Sequence, residues 1–308
     1  MGKLEVNLSG IKMKNPIIPA SGTYGYGMDF LDFYDVNILG SFSIKGTTWF
    51  EREGNPLPRI AEYDGGMLNC VGLQNPGVHK VVNEIFPKLE KIYHDKVVAN
   101  ISGFSIEQYV NCAKMFDEQE IVGILELNIS CPNVHGGGIS FGMDTDLACE
   151  VVREVKKVTH KPLYVKCTPQ CPDLVKMCVE LEKAGADGLV LCNTYLGMRF
   201  NMKTGKPLLS NTTGGVSGPG IFPQALYKVY QVYPHVNIPI IGCGGITCAQ
   251  DVIEMFYAGA SAVEIGTQCL TDPMCVPKIL EELEELCKEL NIENISELTG
   301  RAFQWKEK

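Results

Sequence analysis

Eight short apolar, β-branched runs alternate with amphipathic helical stretches along this chain, and no other feature narrows its fold so far. The runs fall at 16–20, 39–45, 97–102, 124–130, 163–168, 188–193, 238–242 and 262–266. Helical patterns follow at about 29–35, 76–92, 105–118, 145–159, 172–184, 221–232, 247–258 and 273–290. Most runs are continuously apolar rather than alternating, which means burial on both faces and therefore a parallel sheet. Eight βα units in one chain most simply close into a (β/α)8 barrel. A doubly wound open sheet is the alternative, and it normally has fewer strands. The expectation is an α/β TIM barrel forming a single domain over 1–308, with no linker, low-complexity tract or repeat beyond the βα unit.

Local signals agree with that division. Ser105-x-x-Gln108 and Thr247-x-x-Gln250 fit capping boxes, and Asp272-Pro273 fits an N-cap followed by proline in the first turn. Residues 4–13 predict a short hairpin ahead of the first strand, placed to plug the barrel bottom. Two rim connections are too long to be simple turns: 47–73, with Gly54, Pro56, Pro58, Gly65 and Gly66, and the glycine-rich 196–218. Both follow strand carboxyl ends, where long excursions are usually functional.

Bulk chemistry removes some functions. The net charge is −9 and no basic stripe exists, which argues against nucleic acid as a main partner. Thirteen cysteines occur without a C-x-x-C pair, so they read as reduced thiols of a cytoplasmic protein rather than a disulfide framework. No H-E-x-x-H or clustered cysteine spacing is present, and no metal ligand is expected from this chain. Residues 1–15 carry Lys3, Glu5, Lys12 and Lys14 without a long apolar run, so no secretory signal or amino-terminal membrane anchor is expected.

The chemistry concentrates at strand ends. Glu126-Leu-Asn-Ile-Ser-Cys-Pro-Asn133 runs from a strand into a cysteine, two asparagines, His135 and the glycines Gly136, Gly137 and Gly138. That combination suits proton abstraction from a flat, uncharged, hydrogen-bonding ring, although a small packed cysteine near a turn would look the same. His135 competes with Cys131 for the role of base. The seventh run ends in Gly242-Cys-Gly-Gly-Ile246 and the eighth in Gly266-Thr267, the two barrel turns that often cradle a phosphate with backbone N–H groups. Gly214-Gly-Val-Ser-Gly218 offers a third wall, and tight turns alone would also explain such glycines. Lys166 sits inside an apolar run, where a lysine is out of place unless it is paired or faces a ligand, and Lys45 closes the second run. Asn69, Asn100, Asn128, Asn133 and Asn193 fall at strand ends or rim loops, and an amide that both donates and accepts suits a ring of alternating C=O and N–H groups.

These segments together resemble the dihydroorotate dehydrogenases over essentially the whole chain. The likeness is carried by Asn15-Pro-Ile-Ile-Pro-Ala-Ser-Gly22, Lys45-Gly-Thr-Thr48, Arg52-Glu-Gly-Asn-Pro-Leu-Pro-Arg59, Leu68-Asn-Cys-Val-Gly-Leu-Gln-Asn-Pro-Gly77, Asn128-Ile-Ser-Cys-Pro-Asn-Val134, Gly242-Cys-Gly-Gly-Ile246 and Ile265-Gly-Thr267. The resemblance implies an FMN-dependent (β/α)8 barrel oxidising dihydroorotate to orotate in pyrimidine synthesis, with one FMN per chain. Cysteine at 131 is similar to the soluble class 1, and Asn193-Thr-Tyr-Leu-Gly-Met-Arg-Phe-Asn-Met-Lys-Thr-Gly-Lys-Pro207 with Gly214-Gly-Val-Ser-Gly-Pro219 is similar to its type B. Type B implies a homodimer of barrels in a heterotetramer, with an electron-transfer subunit that carries FAD and a [2Fe–2S] cluster and passes electrons to NAD. The stretches Ser21-Gly-Thr-Tyr-Gly-Tyr-Gly27 and Gly266-Thr-Gln-Cys-Leu270 depart from the type B pattern.

Carried over motif by motif, the resemblance makes Cys131 the catalytic base, with a hydride passing to FMN. It assigns Ser21, Lys45, Gly46, Asn100, Asn128, Lys166, Cys192, Gly218, Gly244, Gly245, Gly266 and Thr267 to the cofactor. Lys45, Asn69, Cys70, Val71, Gly72, Leu73, Asn128, Asn133, Asn193 and Thr194 would hold the substrate. The rival readings are the fumarate-using type A enzyme, a dihydropyrimidine dehydrogenase, a tRNA-dihydrouridine synthase and a non-catalytic phosphate-binding barrel.

Overall fold

The computed structural model describes residues 2–130 and 138–305. Cys131, Asn133, His135, Gly136 and Gly137 lie outside the described residues. The strands in chain order are β1 (Val6–Leu8), β2 (Ile11–Met13), β3 (Ile17–Pro19), β4 (Ile60–Tyr63), β5 (Gly66–Asn69), β6 (Val97–Ile101), β7 (Val122–Asn128), β8 (Leu163–Lys166), β9 (Gly188–Leu191), β10 (Tyr195–Gly197), β11 (Gly214–Ser217), β12 (Ile240–Cys243) and β13 (Ala262–Ile265).

Seven of them form one parallel sheet in the order β3-β13-β12-β9-β8-β7-β6. The two edges, β3 and β6, are joined through residues 42–47. Ser43 N–H donates to Pro19 on one side, while Ile44 N–H donates to Val98 and Thr47 N–H to Asn100 on the other, each at 2.9 Å. The second run therefore closes the barrel, although it pairs through single bridges at Ser43 and Thr47 rather than a ladder. The (β/α)8 expectation holds, and the open-sheet alternative does not.

Helices coat the outside through one apolar stripe each. In Ile106–Asp117 the buried residues are Tyr109, Cys112, Ala113 and Phe116, the i, i+3, i+4, i+7 face of a 3.6-residue period. Some boundaries differ from the sequence expectation. The stretch 29–35 holds only a short 3-10 turn, Met28–Phe30, with another at Val36–Ile38. The helical span that begins at Val78 carries a π-turn at Val81–Ile85 just before Pro87, which has no N–H to give. At Ser105 the hydroxyl accepts from Gln108 N–H, but the Gln108 amide accepts from Phe104 rather than from Ser105. The second capping box lies one residue later, with Asp251 accepting from Cys248 N–H at 3.3 Å and Thr247 N–H at 2.7 Å. Asp272 accepts from Met274 N–H, and the helix Cys275–Glu289 starts beyond Pro273.

The hairpin β1–β2 is antiparallel, and its tip reaches the amino-terminal end of the barrel. Ser9 Oγ donates to Asp187 O at 2.9 Å and meets Tyr164 OH at 3.0 Å. At the opposite end the two long excursions meet, forming a four-stranded antiparallel sheet in the order β10-β11-β5-β4. Alternation along β5 sends Leu68 into a small core with Leu209 and Val216, and sends Met67 and Asn69 toward the barrel mouth.

Candidate active site

Every barrel strand delivers a side chain or a turn to one cavity at the carboxyl-terminal mouth, roofed by the antiparallel sheet. Asn100 rises from β6, Asn128 from β7, Lys166 from β8, and Cys192, Asn193 and Thr194 follow β9. Ser21 and Gly22 follow β3, and Lys45 and Gly46 lie on the closing segment. Gly244 and Gly245 follow β12, and Gly266 and Thr267 follow β13. The roof contributes Asn69, Val71, Gly72, Leu73 and Gly218. Apart from Cys70, the expected ligand-site residues that are among the described ones line a single space. Cys70 does not line it, because its side chain alternates to the far face of the sheet and meets Ser210 Oγ at 3.7 Å.

The glycine turns have the geometry an anion requires. Gly244 and Gly245 hold φ of 133° and 76°, and a Cβ on Gly245 would stand 2.6 Å from Phe222 N, at the start of the helix Phe222–Val232. The turn after β12 thus lines the cavity next to a helix amino terminus, with no side chain to block close approach of a ligand to its backbone. Gly218, at φ 102°, passes so close to Gly66 that a Cβ would stand 2.6 Å from its Cα. Thr267 Oγ1 donates to Ser217 Oγ at 2.7 Å, tying the last barrel turn to the roof.

The floor is polar. Asn100 donates through Nδ2 to Glu126 at 2.6 Å, which leaves its Oδ1 buried with no partner beside Gly46. An orphaned acceptor above a missing side chain fits the N–H of a flat ring laid there. Lys166 is buried and ion-paired to both Glu126 and Glu264. Burial works against its ammonium, but Cys243, Glu126 and Glu264 around it hold its pKa well above the usual value. Burial is also the main force raising Glu264, to about 8, with the charge of Glu126 adding to it. Both glutamates escaped the sequence reading, although each interrupts an apolar run just as Lys166 does.

Two thiols face the cavity among the described residues, Cys192 and Cys243. Burial pushes Cys243 up to about 12 and Cys192 well above its ordinary value, so neither offers a thiolate near neutral pH. The described histidines lie elsewhere: His79 packs on Trp49, His160 pairs with Asp117, and His94 and His235 line no part of the cavity. No cluster of three metal-ligating side chains occurs among the described residues. Nor is any helix among them long and apolar enough to cross a membrane.

A family model described as dihydroorotate dehydrogenase matches residues 3–287. A protein of Bacillus mycoides (strain KBAB4) named "Dihydroorotate dehydrogenase B (NAD(+)), catalytic subunit" is 52% identical over 307 residues, covering 100% of this chain and 98% of that protein. Proteins of the same name from Bacillus cereus (strain AH187) and Bacillus anthracis (strain A0248) are each 51% identical over the same spans.

Proposed function

This chain belongs to the dihydroorotate dehydrogenase family, and from that premise we propose that its barrel mouth oxidises dihydroorotate to orotate as the catalytic subunit of an NAD-linked, type B enzyme of pyrimidine synthesis. The observation that carries the reading is convergence. Glycine turns suited to a phosphate, an orphaned amide acceptor, a buried lysine and a set of asparagines from separate strands open onto one cavity.

FMN, when bound, supplies the acceptor for a hydride. Gly244, Gly245, Gly266 and Thr267 hold its phosphate, with Gly218 closing the wall. Ser21, Gly46, Asn100 and Cys192 would border its ring, Lys166 and Lys45 would present positive charge to it, and Asn128 would offer a neutral amide from the side shared with substrate. Asn69, Asn128, Asn133, Asn193 and Thr194 read the alternating donors and acceptors of dihydroorotate, helped by the roof backbone at Gly72 and Leu73. Lys45 meets the substrate carboxylate. Cys131 removes the proton from the carbon beside the ring carbonyl, since the described thiols in the cavity are held protonated.

In this reading the electrons leave through a partner subunit carrying FAD and [2Fe–2S], and two barrels pair within a heterotetramer in the cytoplasm. The chain folds as one domain over 1–308. The deciding experiment reduces the purified yellow protein with dihydroorotate and offers NAD, with and without the partner, or fumarate. NAD turnover that requires the partner is expected. Turnover with fumarate by the barrel alone would move the chain to type A, and reduction by dihydrouracil in place of dihydroorotate would move it to the dihydropyrimidine dehydrogenases.

A further inference from the structure

Two buried carboxylates lie beneath the cavity without lining it, Glu126 on β7 and Glu264 on β13. Burying a carboxylate is costly unless donors replace its water. The two are served very differently. Glu126 accepts from Ser43 Oγ at 2.9 Å through Oε2 and from Asn100 Nδ2 at 2.6 Å through Oε1, with Lys166 Nζ 3.4 Å from Oε1. Glu264 takes Lys166 through Oε2, and its Oε1 is buried with no partner. Two carboxylates sharing one ammonium in a dry lumen do not both ionise cheaply, so a proton settles on the poorly served one.

We propose that Glu264 is a positioning residue that holds a proton beneath Lys166, and that this proton sets how much of the ammonium's charge reaches the ligand above it. With the proton in place, the Lys166 ammonium is balanced by a single carboxylate and the cluster is neutral. Without it, two carboxylates outnumber the ammonium and the cluster presents one net negative charge beneath the cavity. The neighbours support a single titration. Across the sheet Glu264 pairs with Cys243 on β12 and with apolar Ile18 on β3. Burial raises Cys243 to about 12, and Lys166 is held well above its usual value, so neither changes charge between about pH 6.5 and about pH 9.5. Glu126 already has three donors around its two oxygens, whereas Glu264 has one.

The inference rests on the flavin reading only where the ligand is FMN, so its test has an arm that needs no flavin. Infrared titration of the wild-type protein, flavin-free and FMN-loaded, follows the C=O stretch of a protonated carboxyl. A band present at neutral pH, lost with a midpoint near 8, and missing from Glu264→Gln is expected. No such band in the wild type, or a band that persists in Glu264→Gln, overturns the assignment. The wild-type titration stands even if the variant fails to fold. The second arm measures sulfite affinity of the FMN-loaded protein, because sulfite adds to flavins more tightly beside positive charge. Between about pH 6.5 and about pH 9.5 the wild type should lose about tenfold more affinity than Glu264→Gln. Equal losses overturn the proposal. A protein that takes up no FMN overturns the proposed function instead, and leaves the flavin-free infrared result to decide this one.

Discussion

Asn193 gives its Nδ2–H to the hydroxyl of Ser130, 2.7 Å away and 63 residues earlier in the chain. Ser130 in turn donates to Asn128 Oδ1 at 2.9 Å, while Asn193 Oδ1 accepts from Thr194 N–H at 2.7 Å. One buried hydroxyl thereby decides which ends of two amides remain for a ligand. Ser130→Ala should cost about 1–3 kcal/mol in urea unfolding, because it strands buried polar groups. It should also raise the KM for dihydroorotate about tenfold, the equivalent of about 1.4 kcal/mol of misdirected hydrogen bonding, with a smaller change in kcat. An unchanged KM would mean that these amides do not hold the substrate.

Cys131 follows Ser130 in the chain. Replacing a general base costs about 100-fold or more, so Cys131→Ser should slow reduction of bound flavin by dihydroorotate at least that much in stopped flow. Orotate affinity should stay within a few-fold. In the parent, reduction should quicken as pH rises toward the ordinary thiol titration at about 8.5. Matching rates for variant and parent would remove Cys131 from the base role.

The glycine turns separate conformation from space. Gly245→Ala places a Cβ 2.6 Å from Phe222 N at φ 76°, so it should lower stability by about 1–3 kcal/mol and weaken FMN binding about tenfold or more. Gly266→Ala meets only Ala20 and Thr23 at ordinary contact distance, 3.7 Å and 3.8 Å, and should unfold as the parent does. Loss of FMN affinity in Gly266→Ala at unchanged stability would show a ligand pressed against that turn. Full affinity in both variants would move the phosphate elsewhere.

Lys45 lies on the seam of the barrel and lines the cavity. If it meets the substrate carboxylate, Lys45→Met should cut kcat/KM for dihydroorotate about tenfold to a hundredfold, as expected for a lost charged hydrogen bond. Dihydrouracil, which lacks the carboxylate, should be indifferent to the change. Equal losses for both compounds would place Lys45 on the cofactor alone.

Glu264 makes stability fall with alkali. Its folded-state pKa of about 8 lies above the ordinary value of 4.5, so the folded state keeps a proton that the unfolded chain releases. Its contribution is whole below about pH 4.5 and is lost as pH rises toward 8. Urea midpoints taken across that window should decline less steeply in Glu264→Gln than in the parent. Parallel slopes would remove Glu264 from the titration.

The barrel was legible because its strands are buried on both faces and read as unbroken apolar runs. The closing segment is legible as a strand from its place before Lys45, but its sparse pairing is not, since composition does not say how many ladder bonds residues 42–47 make. The roof was missed. Gly214–Ser217 and Tyr195–Gly197 are short and glycine-rich, with no period-2 stripe, and they pair only because two distant excursions meet. At the site, Asn69, Asn100, Asn128, Asn193 and the glycine turns converge as their strand-end and rim-loop positions imply. Cys70 was placed in the cavity by its motif neighbours, yet strand alternation turns it away between Asn69 and Val71. Glu126 and Glu264 were readable by the argument that singled out Lys166, a charge inside an apolar run, once applied to acids.

The backbone ladder that joins Gly66–Asn69 to Gly214–Ser217 ties together segments separated by well over a hundred residues. Anyone wishing to graft a new rim onto this scaffold cannot exchange one loop at a time. A donor loop at either place would arrive without its complementary edge, so the two must be transplanted as a matched set.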